Sequence, residues 1–520
     1  MDGLKYLTLL ALVLWLPVGP VHAGTADQRL HFKVTLDQSL GTNVESGRLV
    51  ITMTANPVPM PVIEPSFADL KSVWMCAVEV TNIAPGQTIE VDPDTLAFPK
   101  KFSEAPTGSY QFMALLDLNH SYAYSGMGAG DLYGPVVRLV GVHPDQPKAV
   151  SLVLSQRSPE MRLRETTSRK KVTFKSELLT AFAGHPIEMR AGVILPPSYG
   201  KSTSRRYPTV YQIHGYSSSY ADAWSNGGDC CGPSPSEVIR GMADGTWPEM
   251  IYVFLDATCP LGHHVFADSA NNGPWGRALV EEFIPYLEKT FRMEGAPSSR
   301  FLNGHSSGGW ATLWVQVSHP DFFGGTWSTS PDPVDFRNWT GPNLTKLPPD
   351  NFYHKSDGSP RWLIRMDGVD VITVEEFARW EAVAGDYGGQ FGSFDAVFSP
   401  RGADGRPMRL FNRATGEIDP VVQKAWEKYD ISRLLKKDWA NLGPKLKGKI
   451  HVTVGTKDTV HLEESVYLLR DTLKELGSDA SFTFLEGRDH FNIYEDGLAR
   501  KMAWEMYGIA HPGANKSTPP

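Results

Sequence analysis

Ser306 lies in the stretch NGHSSGGW, which contains a Gly-x-Ser-x-Gly pattern. The pattern alone decides little, because Gly and Ser are common in the chain and about 0.3 such pentapeptides are expected by chance. Its surroundings are more informative, since an apolar strand precedes it and a helical pattern follows it. So sharp a strand-to-helix turn needs small residues, and Gly304, Gly308 and Gly309 supply them. We predict that Ser306 is a nucleophile; the alternative is a Gly-rich turn with an ordinary capping Ser.

A serine hydroxyl becomes a nucleophile when a general base takes its proton and a carboxylate orients that base. In a sheet of parallel strands, these groups come from the C-terminal ends of later strands, in the order Ser, acid, His. Asp458 follows the predicted strand in IHVTVGTKD, and His490 follows the next strand in FTFLEGRDH. We predict that Asp458 orients the base and that His490 is the general base and acid. The alternatives are a loop Asp that caps a helix and a packed His.

Other residues of the right type compete for both roles. Asp489 and Glu463 are alternatives for the acid, although Asp489 adjoins His490 and is expected to point elsewhere. The alternatives for the base are His461, His305 and the pair His263–His264. We favour Asp458 and His490, because both follow predicted strands at the positions that the geometry requires.

The oxyanion that forms during acyl transfer needs two fixed N–H donors. One is expected from the amide of Ser307, the residue after the nucleophile. The other is expected from the loop in YQIHGYSSS, where an exposed glycine lets the backbone approach a substrate. The second donor is therefore the amide of Tyr216 or Gly215, and we interpret the side chain of His214 as structural.

Two patterns describe the elements that must position these residues. From about residue 28 to 156, apolar and polar residues alternate in six or so short runs separated by turn residues, which predicts a small antiparallel β-sandwich. A basic run at 162–171 follows, which we interpret as a solvated linker. Beyond it, continuous apolar runs alternate with helical patterns, which predicts an α/β domain with a mostly parallel sheet and helices on both faces.

The stretch at about 331–440 interrupts this alternation, with few strand runs and many Trp, Arg, Gly and Asp. It separates two runs that are expected to be adjacent strands, and it is too long for a plain loop. We interpret it as an insertion over the C-terminal edge of the sheet, with a helix near DPVVQKAWEKYD. Loops at this edge line pockets, so the insertion offers candidate substrate contacts. These candidates, for which plain packing or surface salt bridges are the alternative, are Trp339, Trp362, Arg365 and Trp380.

The N-terminus carries the pattern of a secretory signal. Lys5 precedes an apolar run that ends at Leu16, and a small-x-small pattern ends at Ala23. The run is too short to span a bilayer comfortably, and an N-terminal anchor helix is the alternative. No later segment has 18 consecutive apolar residues. We therefore expect a secreted or periplasmic protein whose mature chain has no transmembrane segment.

The predicted organisation has five parts. They are a signal peptide at 1–23, the β-sandwich domain at 24–160, a linker at 161–175, the α/β domain with its insertion at 176–510, and a tail at 511–520.

Composition narrows the functional classes. The chain has 520 residues, 41% hydrophobic residues and a net charge of −8, which predicts two or three domains and no nucleic-acid partner. It contains four cysteines but no Cys-x-x-Cys pair, so we expect no metal. Cys230 or Cys231 is expected near Cys259, where a disulfide and free buried thiols are equally supported. Oligomeric state does not follow from the sequence.

Several stretches together resemble the putative esterase family of the α/β-hydrolase fold, which includes enterochelin, feruloyl and acetylxylan esterases, S-formylglutathione hydrolases and mycolyltransferases. The matching stretches are IHG at 213–215, DSANNGPWGRALVEEFIPYLEKTF at 268–291, GHSSGG at 304–309, GTKD at 455–458 and DHFN at 489–492. The resemblance covers roughly 190–505 without the insertion, and it implies ester hydrolysis through a Ser306 acyl-enzyme with no cofactor. The sandwich is similar to enterochelin esterases in architecture only. The chain departs from the family in its long insertion and in Ser307, where many members have Met.

We therefore predict a secreted serine carboxylic-ester hydrolase that acts on a small-molecule or polysaccharide-linked ester. An acyltransferase with the same residues is one alternative, and a non-catalytic binding protein on the same scaffold is another. Because the chain retains all of the catalytic parts, the enzyme is favoured. Trp74 or Tyr110 of the sandwich would be a stacking platform for a polysaccharide or, as we favour, a core aromatic.

Overall fold

The computed structural model describes residues 29–513, apart from 57–62, 64, 66–68, 226–231, 233 and 386. The predicted signal peptide and the cysteines at 230 and 231 therefore lie outside the described residues, as does most of the predicted tail. Within the described part of the chain, every helix is too short or too polar to cross a membrane.

The first unit is a β-sandwich, as the alternating pattern predicts. Its elements are β1 (Leu30–Leu36), β2 (Glu45–Thr54), β3 (Val73–Ile83), β4 (Thr88–Val91), β5 (Ala97–Phe98), β6 (Gly108–Asp117), the short helix α1 (Tyr122–Ser125), β7 (Leu132–Tyr133), β8 (Val137–Val142), β9 (Lys148–Leu154) and β10 (Gln156–Arg157). One sheet has the order β4-β1-β9 and the other the order β10-β7-β6-β2-β3-β5, with β8 also pairing with β6. In β1, four buried side chains alternate with partly exposed ones, so one face closes on the core.

The predicted antiparallel pairing holds for the large sheet, but β1 and β9 run parallel to each other. These strands lie near the two ends of the unit in sequence. The long chain between them forms most strands of the other sheet, and a connection of this length permits a parallel pair.

The second unit is built on an eight-stranded sheet of order β11-β12-β14-β13-β19-β20-β23-β24. Its strands, together with four short hairpin strands and two strands outside the sheet, are β11 (Arg169–Ser176), β12 (Ile187–Ile194), β13 (Thr209–Ile213), β14 (Ile251–Leu255), β15 (Thr258–Cys259), β16 (Gly262–His263), β17 (Asp268–Ser269), β18 (Gly273–Pro274), β19 (Arg300–His305), β20 (Gly325–Thr329), β21 (Trp362–Met366), β22 (Val369–Thr373), β23 (Ile450–Gly455) and β24 (Ser481–Leu485). The helices are α2 (Glu177–Ala183), α3 (Pro235–Asp244), α4 (Trp275–Ala278), α5 (Ile284–Thr290), α6 (Ser307–Ser318), α7 (Val374–Ala384), α8 (Gln390–Phe398), α9 (Pro420–Trp426), α10 (Ile431–Leu446), α11 (Glu463–Glu475) and α12 (Leu498–Ala510), and a π-helical turn at Leu279–Phe283 joins α4 to α5.

From β14 along the sheet to β24, each strand runs parallel to the next, whereas β12 runs antiparallel to both of its neighbours, β11 and β14. The predicted α/β class with a mostly parallel sheet is therefore confirmed. Because parallel strands end at the same edge, the loops after β13, β19, β20, β23 and β24 meet there. All of the residues predicted for catalysis lie on four of these loops or at the start of α6.

The structure differs from the sequence interpretation at the predicted linker, 161–175. Residues 169–176 form β11, which pairs along its length with β12 at the edge of the sheet. The exposed residues Lys171, Thr173 and Lys175 alternate with the more buried Val172, Phe174 and Ser176, so the segment has a buried side as well as a charged one. Charged side chains on an edge strand discourage pairing with another chain, which accounts for a basic run inside a strand.

The chain between β20 and β23 lies where the sequence predicts an insertion. These two strands are adjacent and parallel in the sheet, and the intervening residues carry β21, β22 and α7 to α10. The predicted helix near DPVVQKAWEKYD is α9, and Asp419 caps its first turn by accepting hydrogen bonds from the amides of Val421 and Val422. An aromatic cluster that includes Trp339, Phe398 and Trp426 packs this region, and it is continuous with the core of the sheet because Phe398 also contacts Trp310 of α6.

Candidate active site

Ser306 occupies the turn between β19 and α6. Its φ of 59° and ψ of −125° place a non-glycine residue in a sparsely populated part of backbone space, which costs energy and is kept at functional turns. The surrounding backbone holds this conformation, because the Ser306 amide donates to the Thr329 carbonyl at 3.0 Å and its carbonyl accepts from the Trp310 amide at 3.0 Å. Ser306 Oγ makes no hydrogen bond with any other described residue. The side chain is therefore available to a substrate.

The glycines around Ser306 allow the turn to pack directly on the sheet. A Cβ atom on Gly308 would lie 2.1 Å from the Ile213 carbonyl oxygen, and one on Gly309 would lie 2.6 Å from the Thr329 carbonyl oxygen. Both distances are far below van der Waals contact with rigid backbone. Small residues are therefore required here for steric reasons, as the sequence predicts.

Replacing Gly308 by Ala is expected to destabilise the protein by about 3 kcal/mol or more, because the new methyl group meets backbone that has no room to move. Gly508→Ala is the matched control, since Gly508 also lies inside a helix but no described atom comes within 4 Å of the place that its new methyl group would occupy. This second change is expected to stabilise α12 by about 0.5–1 kcal/mol. Urea titrations followed by circular dichroism compare the two variants. Equal effects of the two substitutions would contradict the steric argument.

His490 and Asp458 are in direct contact. His490 Nδ1 lies 2.9 Å from Asp458 Oδ2, and the two residues are 5% and 0% exposed. The second carboxylate oxygen, Oδ1, accepts from the Val460 amide at 2.9 Å, which fixes the carboxylate. Since an ionised carboxylate only accepts, His490 Nδ1 carries the proton and Nε2 is left with a free lone pair. This is the tautomer that a general base requires.

Electrostatics favour the charged form of this pair. Burial disfavours a charged imidazole, but the Asp458 carboxylate, together with Asp332 and Asp489, outweighs burial and raises the pKa of His490 above its usual value of 6.5. In Asp458, burial again opposes ionisation, and the adjacent His490 nevertheless lowers the pKa of the carboxyl. Asp458 therefore stays ionised at neutral pH and stabilises a protonated His490.

The pH dependence of catalysis is expected to follow His490. On the prediction that His490 is the general base, a protonated His490 has no lone pair to accept the Ser306 proton, and kcat/KM is expected to fall as the pH drops through the pKa of His490. Because that pKa is raised, the acidic limb is expected to have its midpoint above pH 6.5. Hydrolysis of a non-ionisable ester between pH 5 and 9 provides the measurement. A flat profile, or a limb with a midpoint below pH 6.5, would contradict this assignment.

The loop after β13 approaches Ser306 closely. A Cβ atom on Gly215 would lie 3.4 Å from Ser306 Cβ and 4.0 Å from Ser306 Oγ. Glycine therefore leaves the space in front of the hydroxyl open and lets backbone face it. This is the position where the sequence predicts the second oxyanion donor.

Two buried histidines orient the peptides of this loop. His214 Nε2 accepts from the Ala257 amide at 2.9 Å, so Nδ1 carries the proton and donates to the Gly215 carbonyl at 2.8 Å. His263 Nδ1 accepts from the Val265 amide at 3.1 Å, so Nε2 donates to the His214 carbonyl at 2.9 Å. Burial lowers the pKa of His263 well below 6.5 and keeps it neutral. Both histidines are structural, which agrees with our interpretation of His214.

The consequence for the oxyanion follows from peptide geometry. In a trans peptide the carbonyl and the following N–H point in opposite directions. Since the carbonyls of His214 and Gly215 are held by histidine rings, the amides of Gly215 and Tyr216 point away from those rings. Within the described part of the chain, the amides of Gly215, Tyr216 and Ser307 donate to no acceptor. All three predicted donors are thus free for a ligand oxygen.

A second carboxyl group, Asp332, which the sequence analysis missed, lies behind the turn. Ser307 Oγ donates to Asp332 Oδ2 at 2.5 Å, and Gln390 Nε2 donates to the same Ser307 and Asp332 oxygens at 3.1 and 3.3 Å. Burial raises the pKa of Asp332 to about 6. Asp332 follows β20, and this position after a strand is the signal that would have identified it. Gln390 begins α8 and has no comparable signal, because it comes from the region interpreted as an insertion.

The alternatives for the acid and the base make other contacts. The Asp489 carboxylate accepts from the amides of Phe491 and Asn492, and Glu463 pairs with Arg365 at 2.7 Å. The remaining histidines also have other neighbours: His461 Nε2 lies 3.1 Å from Asp370, His305 Nδ1 lies 3.2 Å from Thr329 Oγ1, and His264 stacks on Trp275. Of these alternative histidines, His461 is the one paired with a carboxylate, and that carboxylate belongs to β22 and not to a loop of the eight-stranded sheet.

The four predicted pocket residues have different environments. Trp339 is fully buried and packs edge-on against Phe336, at 4.6 Å between ring centroids. Arg365 Nη2 donates to the Asp458 carbonyl at 2.8 Å and so ties β21 to the loop that carries Asp458. Trp362 and Trp380 are half-buried on β21 and α7. Packing and salt bridges, the alternatives that the sequence left open, describe Trp339 and Arg365, while substrate contact by any of the four stays a prediction.

Comparison with known proteins supplies the family. The sequence profile described as putative esterase matches residues 185–491, which is more than half of the chain. No curated protein is significantly similar in sequence. Similar solved structures include a ferulic acid esterase with 15% identity, covering 66% of this chain and 99% of that chain, with a TM-score of 0.42. They also include the fluorophosphonate-binding serine hydrolase F of Staphylococcus aureus (16% identity, 66% and 99% covered, TM-score 0.38) and an S-formylglutathione hydrolase from Agrobacterium tumefaciens (14%, 67% and 96%, TM-score 0.38).

Proposed function

The chain belongs to the putative esterase family and is a carboxylic ester hydrolase, and from this premise we propose that Ser306, His490 and Asp458 form its catalytic triad. The observation that carries the proposal is the buried contact of 2.9 Å between His490 Nδ1 and Asp458 Oδ2, at the same sheet edge as the strained turn of Ser306. The contact sets the His490 tautomer, and the turn exposes a hydroxyl without other partners.

Acylation begins when Ser306 Oγ attacks the ester carbonyl and passes its proton to His490 Nε2. The resulting imidazolium is stabilised by the Asp458 carboxylate. The carbonyl oxygen becomes an oxyanion, which accepts hydrogen bonds from the Ser307 amide and from the amide of Gly215 or Tyr216. The N-terminal end of α6 adds a favourable field for this negative charge.

The same groups complete acylation by expelling the alcohol and then carry out deacylation with water. The tetrahedral intermediate collapses as the bond to the alkoxy group breaks, and His490 donates its proton to the leaving alcohol. Water then attacks the acyl-enzyme, His490 accepts a proton from it, and the Ser306–acyl bond breaks to release the acid. Ser306 Oγ regains its proton from His490, so the enzyme returns to its starting state.

The substrate class and the site of action are part of the proposal. We propose a small-molecule or polysaccharide-linked ester as substrate, and export of the chain directed by residues 1–23. The division into a sandwich at 24–160 and a hydrolase domain at 176–510 is likewise proposed, with β11 now assigned to the hydrolase sheet. Catechol-type trilactones, aryl esters and acetylated sugars form the panel that would identify the ester.

Rapid mixing with p-nitrophenyl acetate tests the proposed mechanism. An acyl-enzyme predicts a burst of about one p-nitrophenolate per protein, followed by slower turnover. Added alcohol acceptors separate the two reactions of an acyl-enzyme, since a transferase would form a new ester in preference to the free acid. A folded protein that gives neither burst nor turnover with any ester of the panel would instead support the non-catalytic binding protein.

A further inference from the structure

The β-sandwich reaches the loop that carries the proposed oxyanion donors. Its short helix α1, between β6 and β7, places Tyr124 against this loop. The Tyr124 hydroxyl donates to the Ser218 carbonyl at 2.9 Å and lies 3.5 Å from His214 Nδ1. Tyr124 is only 7% exposed. Tyr124, a buried residue of the sandwich, thus helps to hold this loop in place.

A second contact between the sandwich and this loop involves the side chain of Tyr216. The Tyr216 hydroxyl donates to the Ala123 carbonyl and lies 3.3 Å from the Gly388 carbonyl oxygen. The rings of Tyr124 and Tyr216 meet edge to face with 5.0 Å between their centroids. Two adjacent residues of α1 therefore fix both the side chain of Tyr216 and the backbone two residues further on.

The helix that makes these contacts is itself firmly held. Asp117, at the end of β6, accepts from the amides of Ser121 and Tyr122 at 3.2 and 2.9 Å. Asp131, before β7, accepts from the amides of Leu118 and Gly128 at 3.1 and 2.6 Å. Both carboxylates belong to buried residues. These hydrogen bonds make the loop 118–131 a rigid part of the sandwich, so it can hold the residues that it contacts in a fixed position.

The sandwich also forms hydrogen bonds with the segment between β20 and β23. Arg48 of β2 donates to the carbonyls of Ala382 and Val383 at 2.6 and 3.0 Å, and it pairs with Glu79 at 2.6 Å. These carbonyls are among the last of α7, which have no partner within the helix. The chain that follows α7 carries Gly388 and Gln390, which contact Tyr216 and Ser307. The sandwich therefore contacts both the loop after β13 and the segment after α7, which lie on two sides of the candidate oxyanion site.

We propose that Tyr124 is a positioning residue, through which the β-sandwich completes the oxyanion site of the hydrolase domain. This inference rests on the proposed function. The supported loop contains Ser217, a non-glycine residue with a φ of 66°, so its conformation is one that needs surrounding contacts. Donors that shift from the oxyanion position stabilise the transition state less, whereas ground-state binding of the ester is little affected.

The substitution Tyr124→Phe tests the proposal, because it removes the hydroxyl and keeps the ring. Kcat is expected to fall about tenfold or more with KM within about twofold, and the affinity for a boronic acid that forms a tetrahedral adduct is expected to fall by a similar factor. Tyr110→Phe is the matched control, since it removes another hydroxyl of the sandwich, which donates to the Pro106 carbonyl at 2.6 Å. Its kcat and boronic acid affinity are expected to equal those of the unmodified protein.

Tyr216→Phe provides a second variant, which removes the hydroxyl that donates to Ala123 and decides the matter if Tyr124→Phe does not fold. A similar loss of kcat in both variants would support the proposal. Values of kcat that match Tyr110→Phe in both variants would overturn it. The burst assay separates this inference from the proposed triad. If the unmodified protein gives a normal burst and both variants keep its kcat, only the role of Tyr124 is wrong. If the unmodified protein gives no burst, the proposed triad is wrong.

Discussion

Ser306→Ala is expected to lower kcat for ester hydrolysis by about 10⁶-fold. Without Oγ no acyl-enzyme forms, and His490 and Asp458 have no nucleophile to activate. What remains is the contribution of the oxyanion donors and of substrate binding, about 10³-fold to 10⁴-fold over water. The burst of p-nitrophenolate is expected to disappear as well. Steady-state hydrolysis measured with highly purified variant provides the value of kcat.

Ser307→Ala distinguishes the two adjacent serines of the motif. Ser307 Oγ is committed to Asp332 and is only 1% exposed, so it does not face a substrate. The substitution keeps the Ser307 amide, and we expect a loss far smaller than that of Ser306→Ala, below about 100-fold. Unchanged unfolding curves serve as the control for both variants. If Ser307→Ala lost as much activity as Ser306→Ala, the assignment of the nucleophile would be wrong.

Asp458→Asn is expected to lower kcat by about 10⁴-fold while leaving the site assembled. The carboxylate only accepts hydrogen bonds, which fixes the proton of His490 on Nδ1. An amide at position 458 is able to donate to Nδ1, so the proton moves to Nε2 and blocks the acceptance of the Ser306 proton. The loss of charge also removes the main influence that raises the pKa of His490, so the acidic limb of the remaining activity moves to lower pH.

Asp489→Asn is the matched comparison for this second prediction. Asp489 adjoins His490 in sequence, but its carboxylate accepts from the amides of Phe491 and Asn492. We expect its loss of kcat to stay within about tenfold, because an Asn oxygen still accepts hydrogen bonds of this kind. A larger loss for Asp489→Asn than for Asp458→Asn would reverse the assignment of the acid.

The fold could be predicted from the sequence because its signals are local. Continuous apolar runs such as IHVTVG indicate strands buried on both faces, and their alternation with helical patterns implies parallel pairing. Parallel pairing then places the residues after each strand at one edge, which is why Asp458 and His490 could be paired without a structure. The close approach of Gly215 to Ser306 follows from the same topology.

Other features depend on contacts between distant segments, for which the sequence carries no local signal. The basic residues of β11 suggested a solvated linker, although the same charges suit an edge strand. The parallel pairing of β1 with β9 depends on the path of the chain through the other sheet. Tyr124 and Gln390 reach the candidate site from the sandwich and from the segment between β20 and β23, so only the assembled structure identifies them.

Reaction of the protein with a fluorophosphonate, followed by peptide mapping, is the best test of the proposed triad, because it identifies an activated serine without knowledge of the substrate. We expect one adduct per chain, located on Ser306 and lost in His490→Ala. A folded protein that forms no adduct, or that carries the adduct on another serine, would contradict the proposed triad.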